Sequence, residues 1–287
     1  MPELPEVENI SRALKKALVN RTILKTEVFS PALRTSLEPL RHADVAGAQF
    51  LDVRRRGRYA VAEITGNRAF LMHFGMSGVV RVEPGSIPRR KHEHIFIHLD
   101  NGNILRFECT RRFSIFELHE LPEGKKFPAI LDKLGVEPLE DDFTPEFLHS
   151  KASKVKSCVK NFIMDNFVVV GIGNIYATET LFHSGIDPRR AASTLTLEEC
   201  IKIVHHSKII LEKAIESGGT TISDFLNVDG SEGKFAVNLQ VYGRTGEKCF
   251  KCGTVIESVK LGGRTSAFCP HCQKSGNSKS NSRKRDL

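Results

Sequence analysis

The hydrophobic period of this chain changes near residue 121, and that change divides what it can fold into. From about residue 22 to 118 the period is two. Ile95, Ile97 and Leu99 alternate with His94, Phe96 and His98, Asn101-Gly102 follows, and residues 104–108 return. That is a strong hairpin signal. Segments 59–64, 69–72 and 113–118 read as further short strands, so the spacing predicts an antiparallel sandwich or barrel. Ahead of them, residues 3–20 read as an amphipathic helix. Leu4, Val7, Ile10, Leu14 and Leu18 repeat at spacings of three and four, and Pro5 sits in the first turn, where its missing N–H costs nothing. After the polar, turn-rich segment 121–126 the spacing becomes helical over 129–134, 145–150, 155–166, 175–184 and 197–217. The expected class is α+β.

A chain of 287 residues has room for about two domains, each with its own core. Lys and Arg outnumber Asp and Glu by 42 to 34, a net +8, and such a surface attracts polyanions. No apolar run approaches the roughly 18 residues of a membrane span. Residues 1–11 carry three glutamates where a targeting peptide would be basic. The expectation is a protein that is neither membrane-bound nor exported. Residues 273–287 are Ser, Asn, Lys and Arg with almost nothing apolar, a composition that cannot offset the entropy of ordering. The expected divisions are 1–122, 127–236, 237–273 and a basic tail, 274–287, with no internal repeat.

Seven cysteines include two tight pairs, Cys249-x-x-Cys252 and Cys269-x-x-Cys272, sixteen residues apart. Each pair lets two thiolates converge on one ion, and an intervening hairpin, strands 255–260 and 265–268 about Gly262-Gly263, brings the pairs together. This is the spacing of one structural zinc, since four thiolates leave no open coordination position. Gly171-x-Gly173-Asn174 stands just before a predicted helix, where free N–H groups can meet a phosphate, with Lys154, Lys156 and Lys160 nearby. Arg54-Arg55-Arg56 with Arg58, Arg89-Arg90-Lys91 and Arg111-Arg112 enter or leave the strands and are expected to form a phosphate-contacting stripe. Met1-Pro2 has a small second residue, so removal of the methionine is expected to leave a secondary amine at a helix start. Such an amine is a nucleophile, with Glu3 and Glu6 within a turn of it.

Met1-Pro2-Glu3-Leu4-Pro5-Glu6-Val7-Glu8 resembles the start of formamidopyrimidine-DNA glycosylases, bacterial enzymes that remove oxidised purines. The resemblance extends in order through His73-Phe74-Gly75-Met76-Ser77-Gly78, Lys91-His92-Glu93-His94, Arg111-Arg112-Phe113, Gly171 to Ala177, Gly218-Gly219-Thr220-Thr221, Leu239 to Arg244 and the four cysteines, to about Lys274. It implies a β-sandwich led by the N-terminal helix, then a helix–two-turn–helix domain with a zinc finger, and damaged duplex DNA held between them. It implies that Pro2 attacks C1′ of a flipped-out nucleotide. A secondary amine gives a permanent iminium, which acidifies the C2′ proton and drives β- then δ-elimination. Glu3 would open the sugar ring as general acid, supported by Glu6. Met76, Arg111 and Phe113 match the trio that fills the hole in the stack, and in a chain without tryptophan Phe113 is the natural wedge. His92, Asn174, Tyr242 and Arg264 match DNA-contacting positions, Arg264 also assisting δ-elimination. The 218–229 loop matches the one closing over the flipped base.

The departures are specific. Arg58 stands where the family has a lysine, keeping a phosphate contact but making a poor proton donor, because a guanidinium does not deprotonate. Cys109-Thr110 replaces Asp-Pro, and Ser114 replaces glycine, around Arg111 and Phe113, so that loop is expected to sit differently. Val155 interrupts a run of lysines, leaving Lys154 or Lys156 for a phosphate. Two alternatives stand beside the purine glycosylase: an endonuclease VIII-type enzyme for oxidised pyrimidines, whose relatives begin Pro-Glu-Gly-Pro where this chain has Leu4, and a zinc protein that binds damage without cutting. A cytoplasmic bacterial monomer, associated with the nucleoid through DNA, is expected.

Overall fold

The computed structural model describes residues 1–219 and 239–275. The expected base-closing loop from Thr220 onward and the basic tail from Gly276 onward lie outside the described residues. The chain forms two compact units. One is Met1–Glu137 with the chain from Leu211, and the other is Pro138–Ile210 with the described residues 239–275.

The first unit opens with helix α1 (Leu4–Leu18), capped by Glu3, with Pro5 in its first turn. Val7, Ile10, Leu14 and Leu18 are buried and join the core of the strands that follow. These are β1 (Ile23–Val28), then after the short helix α2 (Glu38–Arg41) β2 (Phe50–Arg56), β3 (Tyr59–Ile64), β4 (Arg68–His73), β5 (Gly78–Pro84), β6 (Glu93–Leu99), β7 (Asn103–Cys109) and β8 (Ile115–Glu120). They make two antiparallel four-stranded sheets, in the orders β1-β6-β7-β5 and β2-β3-β4-β8. A run of rings links the sheets through the core: Phe50, Phe70, Phe116, Phe107 and Phe74, with successive centroids 5.0–6.1 Å apart. The sandwich expected from the two-residue period is therefore present, as is the Asn101-Gly102 hairpin, where Gly102 takes φ +81.

β3 and β4 do not alternate cleanly, because both faces of their sheet are covered. Ala60, Ala62, Phe70 and Met72 face the sandwich core. Val61, Ala69 and Leu71 pack instead with Leu121 and Leu131, and with Phe127 and Leu134 at the margin. The segment after the 121–126 turn thus lies on the outer face of the sheet. The helix expected at 129–134 is only a single 3₁₀ turn, Ala129–Leu131. The strand expected at 113–118 begins at Ile115, paired with His73. Arg112 takes the left-handed φ of +56 just before it, and Phe113 is left outside the ladder with 52% of its surface exposed.

In the second unit, α3 (Pro145–Ala152) is capped by Thr144, whose hydroxyl accepts the Phe147 N–H at 3.1 Å. α4 (Val159–Ile163) is shorter than the expected 155–166, because the residues before it pair with backbone instead. Ser157 and Val155 carbonyls accept the N–H groups of Ala192 and Ser193, and Val159 donates to Arg190. α5 (Asn174–Ser184) ends at Gly185 in the left-handed region, and α6 (Leu197–Glu216) follows, its residues from Leu211 on belonging to the first unit. The hairpin β9 (Glu257–Leu261) and β10 (Arg264–Phe268) turns at Gly262-Gly263 as the spacing predicts. A small core of Phe182, Val241, Cys249, Ile256, Ala267 and Cys269 joins it to α5.

Candidate active site and nucleic-acid interface

At the head of α1, Pro2 is buried beneath an exposed Met1, and Glu3 and Glu6 are only 4% and 3% exposed. Glu6 Oε2 accepts the backbone N–H of Glu3 at 2.9 Å, so the helix start itself fixes one carboxylate against the residue carrying the other. Gly219, with φ +85, lies so close that a Cβ there would stand 3.1 Å from both Cγ and Oε1 of Glu6. Asn9 ties the same helix to the end of α6, its amide donating at 3.1 Å to the carbonyls of Pro5 and Ile215.

Two loops of the same unit interlock. Residues 74–77 carry Met76 and residues 110–114 carry Arg111 and Phe113. Met76 and Phe113 are exposed apolar side chains, and the Arg111 guanidinium stands 5.4 Å from the Phe113 ring. His92 is half-buried at the base of the second loop, its carbonyl accepting the Cys109 N–H at 3.0 Å. Arg58 is buried at the turn into β3, next to Tyr59, whose ring is 5.0 Å from that of its cross-strand partner His73. Burial, reinforced by the charges of Arg58 and Arg34, pushes the His73 imidazole down to about 4. It is therefore neutral, and its Nδ1 accepts the Gly75 N–H at 3.2 Å.

Four arginines of the expected stripe are engaged in ion pairs within the protein. Arg54 pairs with Asp52 and Glu63, Arg55 with Glu8 and Glu137, and Arg56 with Glu137. Arg90 pairs with Glu83 and Glu93. Arg89 and Lys91 are exposed, whereas the charge of these four arginines is met by carboxylates within the same unit. Arg111 and Arg112 differ from them in being exposed on a loop.

In the second unit Gly173 caps α5 and Asn174 opens it, as the glycine pattern suggests. The Asn174 amide donates to the Thr265 carbonyl at 3.2 Å, which places it beside Arg264 at the exposed head of β10. Lys160, read only as a nearby lysine, proves central here. It is 1% exposed, and its ammonium donates to Asn174 Oδ1 and Ser266 Oγ, both at 2.6 Å. Glu179 was not visible as a site residue in the sequence. Its buried carboxylate accepts the successive backbone N–H groups of Gln240, Val241 and Tyr242 at 2.8–3.0 Å, and so fixes the chain that carries Tyr242. Lys154 and Lys156 are exposed on the stretch between α3 and α4. The Sγ atoms of Cys249, Cys252, Cys269 and Cys272 all lie within 4.8 Å of one another, with Cys252 and Cys269 3.5 Å apart and Cys249 and Cys272 4.0 Å apart. Zn–S bonds of about 2.3 Å in a tetrahedron require that spacing, so the set fits one closed structural zinc.

A helix-led β-sandwich with buried carboxylates at its N-terminus, and a helical unit closed by a four-thiolate finger, define a two-unit zinc-finger protein. Residues 1–116 match the formamidopyrimidine-DNA glycosylase N-terminal domain, residues 134–226 the H2TH domain of the same enzymes, and residues 246–274 the zinc finger found in FPG and IleRS. The chain is 45% identical over 276 residues to the formamidopyrimidine-DNA glycosylase of an Escherichia coli O6:K15:H31 strain, covering 96% of this chain and all of that one. It is 42% identical over 277 residues to the enzyme of Dichelobacter nodosus, with the same coverage. Its fold is similar to that of a Lactococcus lactis FPG mutant in complex with a Fapy-dG containing DNA, with TM-score 0.87 and 33% identity over 95% of this chain and all of that one. The chain belongs to the formamidopyrimidine-DNA glycosylase family.

Proposed function

We propose that this protein excises oxidised purines, 8-oxoguanine and formamidopyrimidines, from duplex DNA and then cuts the abasic site by β,δ-elimination. The observation that carries the reading is the head of α1, where Pro2 adjoins two buried carboxylates and Glu6 is fixed on the Glu3 backbone. With Met1 removed, the Pro2 nitrogen is the nucleophile at C1′, Glu3 the acid that opens the sugar ring, and Glu6 the group that supports the site. Arg58 and Arg264 bind phosphate, with Arg264 assisting δ-elimination. Lys154, Lys156, His92, Asn174 and Tyr242 contact the DNA backbone, and Met76, Arg111 and Phe113 occupy the space the flipped base leaves. The zinc holds the finger that carries Arg264.

Solved relatives bear on the substrate. The Lactococcus lactis enzyme is known with Fapy-dG DNA, and MutM with DNA containing carbocyclic 8-oxo-G. The Lactococcus lactis protein is also known with DNA containing an oxidised pyrimidine, which keeps that lesion class as the second reading. The protein acts as a monomer in the bacterial cytoplasm and meets the nucleoid through its DNA substrate. No helix among the described residues is long and apolar enough to cross a membrane.

Borohydride trapping tests the reading, on one duplex with 8-oxoguanine opposite cytosine and another with thymine glycol. The expected result is a covalent adduct on the 8-oxoguanine duplex, with excision lowered at least 100-fold in Pro2→Gly and Glu3→Gln while lesion binding stays within about threefold. An adduct on thymine glycol alone moves the protein to the pyrimidine reading. No adduct on either, with DNA binding intact and Met1 removed, sinks the amine mechanism.

A further inference from the structure

The loops that carry Met76, Arg111 and Phe113 are joined by a buried hydroxyl. Ser114 is fully buried, and its Oγ donates to the Phe74 carbonyl at 2.7 Å while lying 3.0 Å from the Sγ of Cys109, also fully buried. A hydroxyl has one proton. With that proton on the carbonyl, its oxygen is left to accept the Cys109 S–H. The Phe74 carbonyl also accepts the Gly78 N–H at 2.7 Å, so both its lone pairs are used. One bond closes the first loop on itself, and the other ties it to the end of the second. A second tie runs the same way, from the Arg111 N–H to Ser77 Oγ at 3.1 Å.

The packing around these bonds leaves little freedom. A Cβ on Gly78 would stand 2.4 Å from both the Phe74 carbonyl oxygen and Ser114 Oγ. A Cβ on Gly75 would stand 2.6 Å from the carbonyl oxygen of Phe113. The Ser114 carbonyl accepts the Arg34 N–H at 3.1 Å, which ties the second loop to the segment ahead of α2. Arg112 is held in the left-handed region, a conformation that persists in a non-glycine residue only where its surroundings impose it. Two large apolar side chains therefore stand half in solvent on loop tips whose backbones are fixed to each other.

We propose that Ser114 is the positioning residue of this loop pair: by bridging Phe74 and Cys109 it holds Met76, Arg111 and Phe113 at a fixed mutual placement, so that they enter the base stack together when the lesion leaves it. The proposal rests on the assignment of those three residues to the vacated space. A wedge pushed between bases works against stacking, and a wedge on an unlocked loop yields before the base does. Ser114 touches no reacting atom in this scheme, so its effect falls on base extrusion and excision and not on the chemistry at C1′.

The experiment compares wild type, Ser114→Ala, Ser77→Ala and Phe113→Ala on a duplex with 8-oxoguanine and a neighbouring 2-aminopurine, whose fluorescence reports unstacking. Single-turnover excision is measured in parallel, together with borohydride trapping on a preformed abasic site. For Ser114→Ala the expected result is unchanged trapping, lesion-duplex Kd within about threefold, a single-turnover excision rate lowered about tenfold, the factor set by roughly one net hydrogen bond, and an unstacking signal reduced towards that of Phe113→Ala. Ser77→Ala shifts the same readouts in the same direction, and keeps the test open if Ser114→Ala fails to fold. If both serine variants match wild type while Phe113→Ala is impaired, the lock is refuted and the wedge assignment survives. If Phe113→Ala itself matches wild type, the wedge assignment falls and the lock with it. Equal losses in excision and abasic-site trapping would make Ser114 a support of the fold alone, which also overturns the proposal.

Discussion

Gly219 lies against Glu6, closely enough that a single added methyl would reach 3.1 Å from the Cγ and Oε1 of that carboxylate. Glu6 in turn accepts the Glu3 N–H, so the placement of both carboxylates depends on a residue more than two hundred positions along the chain. Only glycine meets both demands there, since φ is +85 and the space is already filled. Gly219→Ala is therefore expected to lower stability by about 1–2 kcal/mol from backbone strain, and to lower base excision more than that loss explains, by about tenfold. Melting curves and single-turnover excision on one lesion duplex check it. A variant with a reduced Tm and wild-type excision would show that Glu6 does not need this contact.

Arg55 and Arg56 share Glu137, at 2.6 and 3.0 Å, in surroundings where no side chain of the three is more than 16% exposed. Removing Arg55 takes one charged partner from each of Glu137 and Glu8, which keep Arg56 and Arg12, and each lost hydrogen bond between charged groups costs about 1.5–3 kcal/mol. Arg55→Ala is expected to destabilise the first unit by about 3 kcal/mol and to leave the slope of log Kd against log salt unchanged. Arg264→Ala, on an exposed hairpin, should leave stability nearly unaltered and reduce that slope by about one. A reduced slope in Arg55→Ala would restore it to the DNA interface.

Much of this architecture is written locally in the chain. Asn101-Gly102 places a hairpin because Gly102 must take positive φ, and the two cysteine pairs place a second because four thiolates must converge. The head of α1 is legible because Pro2, Glu3 and Glu6 fall within one turn. Features joined over long separations are not legible. Lys160 reaches Ser266 across 106 positions, Glu179 reaches Val241 across 62, and Ser114 reaches Phe74 across 40. For the same reason the arginine clusters look like a DNA-binding stripe. Glu137, the carboxylate partner of Arg55 and Arg56, lies about eighty residues away, and periodicity carries no record of that pairing. Phe113 reads as a strand residue until the backbone of Arg112 turns it out of the ladder.

Metal removal should act through β10. The zinc cysteines close the hairpin, and Lys160 holds the Thr265 carbonyl and Ser266 hydroxyl of its second strand beside Arg264. Chelation is expected to release one zinc per chain and to weaken lesion-DNA binding at least tenfold, because a unit this small has little core of its own to keep Arg264 in place. Metal analysis and equilibrium binding on the same sample check it. Metal-free protein with unchanged affinity would break the link between the finger and DNA.

His73 sets a specific acid sensitivity. Its imidazole titrates at about 4 in the folded protein, through burial first and then the charges of Arg58 and Arg34, against about 6.5 in an unfolded chain. Between those values the unfolded chain binds a proton that the folded protein does not, so stability falls as pH drops from about 6.5 and levels off below about 4. The full difference is at most about 3–4 kcal/mol, near 1.4 per unit. His73→Gln, which keeps an acceptor for the Gly75 N–H, should lose this component, so that the stability gap between wild type and variant changes across the window and is flat above pH 7. Arg58→Met should raise the His73 titration midpoint, with the shift followed by the imidazole proton resonances. A His73 midpoint near 6.5 in the wild-type protein would mean that neither burial nor the two guanidinium charges act on it as the fold implies.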